Sequence, residues 1–373
     1  MIWIAVVVAG LLVFLVAQMI YLSAVLSWED RRTQGLGYYG LPPAERERFR
    51  RALRLHAMLL FPIIHLLGRF SKLDFRRVSF QHRGISGPKG TCSKESFERA
   101  DAYAPQPEDV FVPTQMKCGT TWMLHLVYQV LHRGGGEGDL VESGSTLHAV
   151  CPWLEARKTV AMNDAPLIGA ERPSRVIKTH LPASHCPFSP AARYIYVARH
   201  PVSCFASCAD FIATNTGSFA PPLDAIEEWF CSEELMWWGT WPAHVQGWWD
   251  LSRTRDNVLF VHFEDMKRDL PGVVRQVASF LGMRPLSDSE LEGVVHKCGF
   301  GYMQEHKWTF EMHPPHILAV DAELFVRGTA DRYKDVPEAM RRRLVAWCTE
   351  RMSGSSFPLD RAYPDVTGTS RSP

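Results

Sequence analysis

The sequence lacks a charge excess, a cysteine pattern and internal repeats, and these absences narrow the possible classes of protein. Its 41 basic and 40 acidic residues leave a net charge of +1, so nothing favours a nucleic-acid partner and any anion must bind at a local site. The nine cysteines form no C-x-x-C pair and have no histidines at zinc spacing, which argues against a disulfide framework and a metal site.

Charge is also absent from the first apolar run, Ile2–Leu26. A run of this length can cross a hydrocarbon core of roughly 30 Å as a helix, which predicts a transmembrane anchor over residues 1–27. A cleaved signal peptide fits less well, because no Lys or Arg precedes the run and no small-x-small site closes it. Arginines begin directly after the run, at Arg31 and Arg32, so the positive-inside rule predicts a single-pass protein with its catalytic part in the cytosol.

The remaining chain is long and apolar enough, with 46% hydrophobic residues, to bury one large core. We predict a juxtamembrane segment over residues 28–80, a connecting segment over 81–107, a catalytic domain over 108–360 and a tail over 361–373. Within the juxtamembrane segment, residues 57–67 (AMLLFPIIHLL) are too few to span a bilayer. They predict either an interfacial helix that lies on the membrane or a core helix of the domain.

The stretch of residues 109–133 predicts a strand, a polar loop and a helix. Residues 109–114 are of β type, residues 117–121 (KCGTT) form the loop, and residues 122–131 place apolar side chains at helical spacing. A loop at a helix N-terminus offers free N–H groups and a positive dipole end, while Lys117 adds a charge and Thr120 and Thr121 add hydroxyls. The loop therefore predicts a phosphate or sulfate site. It is not a Walker A loop, because its lysine precedes the only glycine.

Short apolar runs of buried-strand type recur at residues 175–180, 193–199 and 258–263, separated by helical segments. This alternation predicts an α/β fold, with a parallel sheet that carries helices on both faces. Ligands of such sheets gather at the carboxyl ends of the strands, where Lys117, His180 and Arg199 all fall.

Two of these strand ends carry residues suited to catalysis and anion binding. His180, next to Lys178 in K-T-H-L-P, can deprotonate a hydroxyl near neutral pH, although a loop-lining histidine without a role is an alternative. Arg199 and Ser207 can converge on a phosphate, although an arginine that caps a helix or pairs with Asp210 is equally possible from the sequence.

These segments, in this order, resemble the sulfotransferases that use 3′-phosphoadenosine 5′-phosphosulfate (PAPS). The string K-C-G-T-T-W resembles their phosphosulfate loop, K-T-H-L-P their acceptor-activating segment, and Y-V-A-R-H-P their Y-V-A-R-N-P. Residues 230–250 and the G-F-x-x-M string at residues 299–303 resemble two further family segments. The resemblance spans residues 110–344 and implies the P-loop-like parallel sheet of the sulfotransferase fold, flanked by helices.

The resemblance also implies roles for single residues. It makes His180 the general base, with Lys117 and Lys178 as catalytic groups that stabilise the charge of the transferring group and the leaving phosphate. Trp122 and Phe300 would stack on the adenine, Arg327 would bind the 3′-phosphate, and no metal is needed. The implied nucleotide site comprises Lys117, Cys118, Gly119, Thr120, Thr121, Trp122, Arg199, Ser207, Phe263, Phe300, Arg327 and Gly328.

Several positions depart from the family pattern. Cys118 replaces a serine, His200 an asparagine, Phe263 a tyrosine and Val326 an arginine, and these changes could weaken PAPS affinity. The family's dimer signature is absent from Lys334 onward, which leaves the oligomeric state open.

The predicted function is transfer of a sulfuryl group from PAPS to the hydroxyl of a small molecule or lipid, without a nucleic-acid partner. The membrane anchor favours a hydrophobic acceptor, such as a lipid, a sterol or a phenol. One alternative is a Golgi-type carbohydrate sulfotransferase with a lumenal domain, which predicts positive charge before the anchor. Another is a membrane protein without catalytic activity that retains the nucleotide fold.

Overall fold

The computed structural model describes residues 2–26, 41–135, 139–310, 332–364 and 366. Its first element, α1 (Ile2–Leu26), is a helix of 25 residues, and none of its residues 3–20 is buried. The length and composition of α1 suit a helix that crosses a membrane or a signal sequence. It is therefore a candidate for the predicted anchor.

A second long helix, α2 (Pro43–Phe70), connects α1 to the rest of the chain. It bends by 66° between residues 43–55 and 60–70. Pro62 lies just after this bend. A proline inside a helix removes one backbone hydrogen bond and its ring clashes with the carbonyl four residues before it, which accounts for the bend.

The C-terminal half of α2 has two different faces. Leu60 and Ile64 are buried in a small cluster with Phe219, which belongs to the 3₁₀ turn that follows a helix of the domain. Leu66 and Phe70, in contrast, have exposed fractions of 55% and 84%. Residues 57–67 thus share features of both predicted alternatives, since one face packs on the domain and the other is exposed.

The central sheet has four parallel strands in the order β4-β3-β5-β6. The strands are β3 (Asp109–Pro113), β4 (Arg175–Thr179), β5 (Arg193–Ala198) and β6 (Val258–His262), preceded by an antiparallel hairpin of β1 (Ser79–His82) and β2 (Ile85–Pro88). Pro113 pairs with Thr179 where β3 and β4 end. The segments after these two strands therefore lie side by side at the carboxyl edge, which is where parallel sheets bind ligands.

Helices cover both faces of the sheet, because successive strand residues alternate between two cores. Val110 and Val112 face a core shared with the helices at residues 120–131, 270–280 and 288–297. Phe111 faces a core shared with the helices at residues 201–216, 223–231, 241–254 and 338–351. The predicted α/β architecture is confirmed. The helices beyond α2 are α3 (Lys94–Asp101), α4 (Thr120–Leu131), α5 (Leu147–Val150), α6 (Pro201–Thr216), α7 (Leu223–Cys231), α8 (Trp241–Thr254), α9 (Phe263–Arg268), α10 (Leu270–Phe280), α11 (Asp288–Lys297), α12 (Phe300–Glu305), α13 (Glu338–Arg351) and α14 (Leu359–Ala362).

Candidate active site

The loop between β3 and α4 forms one wall of the site. Gly119 is the N-cap of α4 and has a φ of 104°, in the left-handed region. A Cβ atom at this position would lie 2.8 Å from a ring carbon of Phe263, so the turn requires a glycine. Because Gly119, Thr120 and Thr121 line the central cavity, the free N–H groups and the positive dipole end of α4 favour an anion there.

His180 follows β4 and is held in one orientation. Its Nδ1 donates a hydrogen bond to the carbonyl oxygen of Thr114, at 2.9 Å, which leaves the lone pair on Nε2. The ring lies between Trp153 and Trp238, with centroid distances of 5.2 and 4.8 Å. Burial and the nearby Lys178 hold the pKa of His180 well below its usual value. The imidazole is therefore neutral at pH 7, the form that a general base requires.

Two lysines face the same cavity. The Nζ atom of Lys178 lies 3.4 Å from the ring centre of Trp153. Burial lowers the pKa of Lys178 to about 7, although the charge of Glu155 opposes this effect. Desolvation also lowers the pKa of Lys117, whose Nζ lies 4.8 Å from the ring centre of Phe211. Both ammonium groups can attract an anionic ligand, and they do so more strongly away from bulk water.

Arg199 connects the loop to α6. Its Nη1 donates hydrogen bonds to Ser207 Oγ, at 2.8 Å, and to the carbonyl oxygen of Lys117, at 3.0 Å. The guanidinium group also lies 4.5 Å from the ring centre of Phe263. Asp210, the alternative partner considered for Arg199, pairs instead with Arg332. Arg199 and Ser207 thus meet beside the loop.

Aromatic rings also line the cavity. Trp122 and Phe263 meet edge to face, with centroids 5.4 Å apart. The indole N–H of Trp122 donates to the carbonyl oxygen of Cys298, at 2.8 Å, and the Nζ of Lys267 lies 5.7 Å from its ring centre. Phe300, at the start of α12, lines the same region. Such rings suit the face of a purine base.

One cavity of about 1170 Å³ joins these groups. This volume exceeds the range of about 300–1,000 Å³ that a single ligand usually occupies. Another part of the cavity wall is apolar and aromatic. It is formed by Met116, Trp153, Phe211, Trp237 and Trp238. The cavity thus has an anion-binding part and an apolar part, with His180 and Lys178 on its wall.

Comparison with known proteins identifies the family. The sequence profile of the sulfotransferase domain matches residues 107–356. The chain belongs to the sulfotransferase family. Sulfotransferase 2B1 of Mus musculus is 30% identical over 301 residues, which cover 77% of this chain and 84% of that relative. Sulfotransferase 1C2 of Oryctolagus cuniculus is 26% identical over 286 residues, which cover 74% and 94% of the two chains.

Solved structures show the same fold. Mouse sulfotransferase SULT7A1 complexed with PAP has a TM-score of 0.60 at 19% identity, over 79% of this chain and all of that one. Retinol dehydratase in complex with androsterone and PAP has a TM-score of 0.59 at 20% identity, over 79% and 98% of the two chains. The predicted family, fold and enzyme class of this sulfotransferase are confirmed.

The structure brings most of the predicted site residues of this sulfotransferase to one cavity. The members that line it are Lys117, Gly119, Thr120, Thr121, Trp122, Lys178, His180, Arg199, Ser207, Phe263 and Phe300. Arg327 and Gly328 lie outside the described residues. The proposed roles of all these residues stay predictions.

Cys118 is oriented differently from its neighbours in the loop. Its side chain is buried in the core, with its Sγ 3.6 Å from that of Cys204. Its N–H donates a hydrogen bond to the carbonyl oxygen of Gln115. Both groups are thus used within the protein, so a ligand in the cavity would gain little from Cys118.

Sequence reasoning missed Glu155, whose side chain is fully buried. Its Oε1 atom accepts hydrogen bonds from the backbone N–H of His180 and the indole N–H of Trp153, both at 2.8 Å. Its Oε2 atom accepts a hydrogen bond from the hydroxyl of Thr179, at 2.9 Å. A single glutamate in an apolar stretch carries no spacing signal, so only the fold reveals these contacts.

His244 has a structural place behind the base. Its Nε2 donates to the carbonyl oxygen of His180, at 2.9 Å, and its Nδ1 accepts from the hydroxyl of Tyr196, at 3.0 Å. Both ring nitrogens are therefore occupied within the protein.

Proposed function

We propose that this sulfotransferase transfers a sulfuryl group from PAPS to the hydroxyl of a hydrophobic acceptor at a membrane. The observation that carries the proposal is the position of His180. Its Nδ1 is fixed by the Thr114 carbonyl, and its neutral ring lines the same cavity as Lys117, Lys178 and the N-terminus of α4. PAP in the structures of SULT7A1 and retinol dehydratase supports a nucleotide donor of this kind.

In the proposed mechanism, Nε2 of His180 accepts the proton of the acceptor hydroxyl as its oxygen attacks sulfur. The new S–O bond forms while the bond between sulfur and the 5′-phosphate oxygen breaks, and the electron pair of that bond leaves with PAP. Lys117, Lys178 and the N–H groups of the loop stabilise the charge that develops on the sulfuryl and phosphate oxygens. Arg199 and Ser207 hold the 3′-phosphate side of the nucleotide.

The apolar part of the cavity supports a hydrophobic acceptor. Trp153, Trp237 and Trp238 offer flat surfaces, and Met116 and Phe211 extend them. Aromatic walls of this kind bury apolar ligand surface and contribute about 25 cal/mol for each Å² removed from water. Retinol dehydratase, a protein of the same fold, was crystallised with androsterone and with retinol, both of which are apolar.

The position of α2 supports entry of the acceptor from a membrane. The inner face of α2 packs on Phe219 of the 3₁₀ turn Gly217–Phe219. Just after α2, Lys72 Nζ donates a hydrogen bond to the carbonyl oxygen of Ser218 at 2.8 Å. This turn continues from α6, whose last residues, 211–216, line the cavity. The exposed apolar side chains of α2, such as Leu66 and Phe70, therefore lie on a helix that packs against a segment adjoining the cavity, as an interfacial helix could.

The first test measures the formation of PAP from PAPS by the full-length protein in phospholipid nanodiscs. Pools of lipid alcohols and of water-soluble phenols serve as acceptors, and the variants are His180→Ala and Lys117→Ala. We expect turnover that depends on the acceptor and falls in both variants. Tight PAP binding without turnover for any pool would contradict the proposal.

A second test addresses the membrane. Charged substitutions on the outer face of α2, Leu66→Asp and Phe70→Asp, should slow sulfation of a bilayer-embedded alcohol and leave a soluble phenol unaffected. Leu167→Asp is the control, since Leu167 is also an exposed leucine but lies outside α2. Equal effects on both acceptors would contradict entry from the bilayer.

The orientation of the chain needs its own measurement. In sealed microsomes, protease added outside should digest the catalytic domain if it faces the cytosol, as the arginines after α1 predict. Protection of the domain would place it in the lumen and favour the carbohydrate sulfotransferase alternative.

A further inference from the structure

Glu155 is a buried carboxylate for which the proposed reaction has no direct use. Three hydrogen-bond donors surround it, from Trp153, Thr179 and the backbone of His180. Desolvation raises the pKa of Glu155, and these three hydrogen bonds oppose the rise. A buried carboxylate is costly unless its neighbours compensate for the lost hydration. Its place beside the general base therefore calls for a specific explanation.

A single oxygen of Glu155 contacts both His180 and the Trp153 ring on which Lys178 packs. Oε1 accepts both the His180 backbone N–H and the Trp153 indole N–H. The same indole ring has Lys178 Nζ above it, at 3.4 Å, and meets the His180 ring at an angle of 89°. Movement of Oε1 would thus displace His180 and Lys178 together.

The backbone reinforces this connection. Leu154 N donates to the Lys178 carbonyl, and Lys178 N donates to the Pro152 carbonyl, at 2.9 and 2.8 Å. The segment that bears Glu155 therefore pairs with β4 like a short additional strand. On its other side, Ser96 Oγ donates to the Glu155 carbonyl at 2.7 Å. Glu155 is consequently fixed from two sides before any ligand binds.

We propose that Glu155 is a positioning residue for sulfuryl transfer. One oxygen of its carboxylate holds both the backbone of His180 and the ring of Trp153, and Lys178 lies above that ring. The proposal rests on the proposed roles of His180 and Lys178. Glu155 also adds a negative charge near the Lys178 ammonium, which favours its charged form.

Two substitutions separate position from charge. Glu155→Ala removes all three hydrogen-bond acceptor contacts, and we expect kcat to fall about 100-fold, as for a misplacement of about 1 Å, with PAP affinity kept within threefold. Glu155→Gln keeps Oε1 as an acceptor, and its amide can donate to Thr179. The kcat of Glu155→Gln should therefore stay above that of Glu155→Ala. The difference would show that the hydrogen-bond acceptor matters in addition to the space that the side chain fills.

The charge has a separate readout in the pH profile. The titratable groups that face Lys178 are Glu155, Lys117, Cys92 and His180. Since Glu155 favours the ammonium form of Lys178, Glu155→Gln should move the alkaline limb of kcat/KM for PAPS to lower pH. Ser96→Ala is the control: it removes the contact to the Glu155 backbone carbonyl and the capping contacts to Ser93 but leaves the Glu155 carboxylate in place. The alkaline limb of this variant should therefore stay where it is in wild type.

The outcomes distinguish the two proposals. If Glu155→Ala does not fold, the profile of Glu155→Gln decides alone. A Glu155→Gln profile identical to that of wild type would overturn the charge effect of Glu155, and a Glu155→Ala variant with wild-type kcat would overturn its positioning role. A wild-type protein that never forms PAP would instead count against the proposed function.

Discussion

Gly119→Ala tests whether the loop at the start of α4 binds the anion of the nucleotide. The φ of 104° at Gly119 would cost an alanine about 1–2 kcal/mol, and its Cβ would lie 2.8 Å from the Phe263 ring. The free loop can relax into another conformation, and binding must then restore the present one. We therefore expect the Kd for PAP to rise about 5- to 30-fold, the equivalent of 1–2 kcal/mol, when measured by isothermal titration calorimetry.

Gly84→Ala is the matched control for this prediction. Gly84 has a φ of 87°, and no atom lies within 4 Å of the position where its Cβ would be. It also lies in the turn between β1 and β2, away from the cavity. An alanine there should lower the melting temperature through the same backbone strain and leave PAP affinity unchanged. Wild-type affinity in Gly119→Ala, or equal losses in both variants, would refute the reasoning.

Two further predictions concern pH and stability. Because the pKa of Lys178 is about 7, only about a tenth of this side chain is protonated one unit higher, so kcat/KM for PAPS should fall above pH 7. An arginine stays charged, so in Lys178→Arg the fall of kcat/KM above pH 7 should disappear. If the fall remains, a group other than Lys178 causes it. Asp109→Ala breaks the ion pair between the fully buried Asp109 and the largely buried Arg175, which should cost about 3–5 kcal/mol in thermal or urea unfolding. Asp74→Ala, which breaks an exposed pair, should change stability by less than about 1 kcal/mol, and equal losses would contradict this account.

Much of the site could be predicted because its signals are local in sequence. The loop of residues 117–121 needs only a strand, a glycine and a helix in succession, and His180 and Arg199 each end an apolar run. Such features follow from backbone geometry and hydrophobic pattern alone. The parallel sheet then places these strand ends together, so the convergence of Lys117, His180 and Arg199 followed from the fold class.

The contacts that tune the site could not be predicted, because they join distant positions. Glu155 reaches His180 only through the pairing of its segment with β4, and Phe263 restricts Gly119 across 144 positions of sequence. The thiol of Cys118 turns toward Cys204 in the core, although its neighbours on both sides face the cavity. The local sequence pattern does not tell whether such a side chain faces the core or the cavity, because tertiary packing decides this.

The central claim, that His180 is the base of a sulfuryl transfer, is tested most directly by single-turnover formation of PAP from bound PAPS with a saturating acceptor. His180→Ala should bind PAP normally and react about 10²- to 10⁴-fold more slowly, the usual contribution of a general base. His185→Ala should react like wild type, since His185 lies five residues further on and contacts Ser184 and Arg83. A His180→Ala variant that reacts within a few fold of wild type would contradict the account.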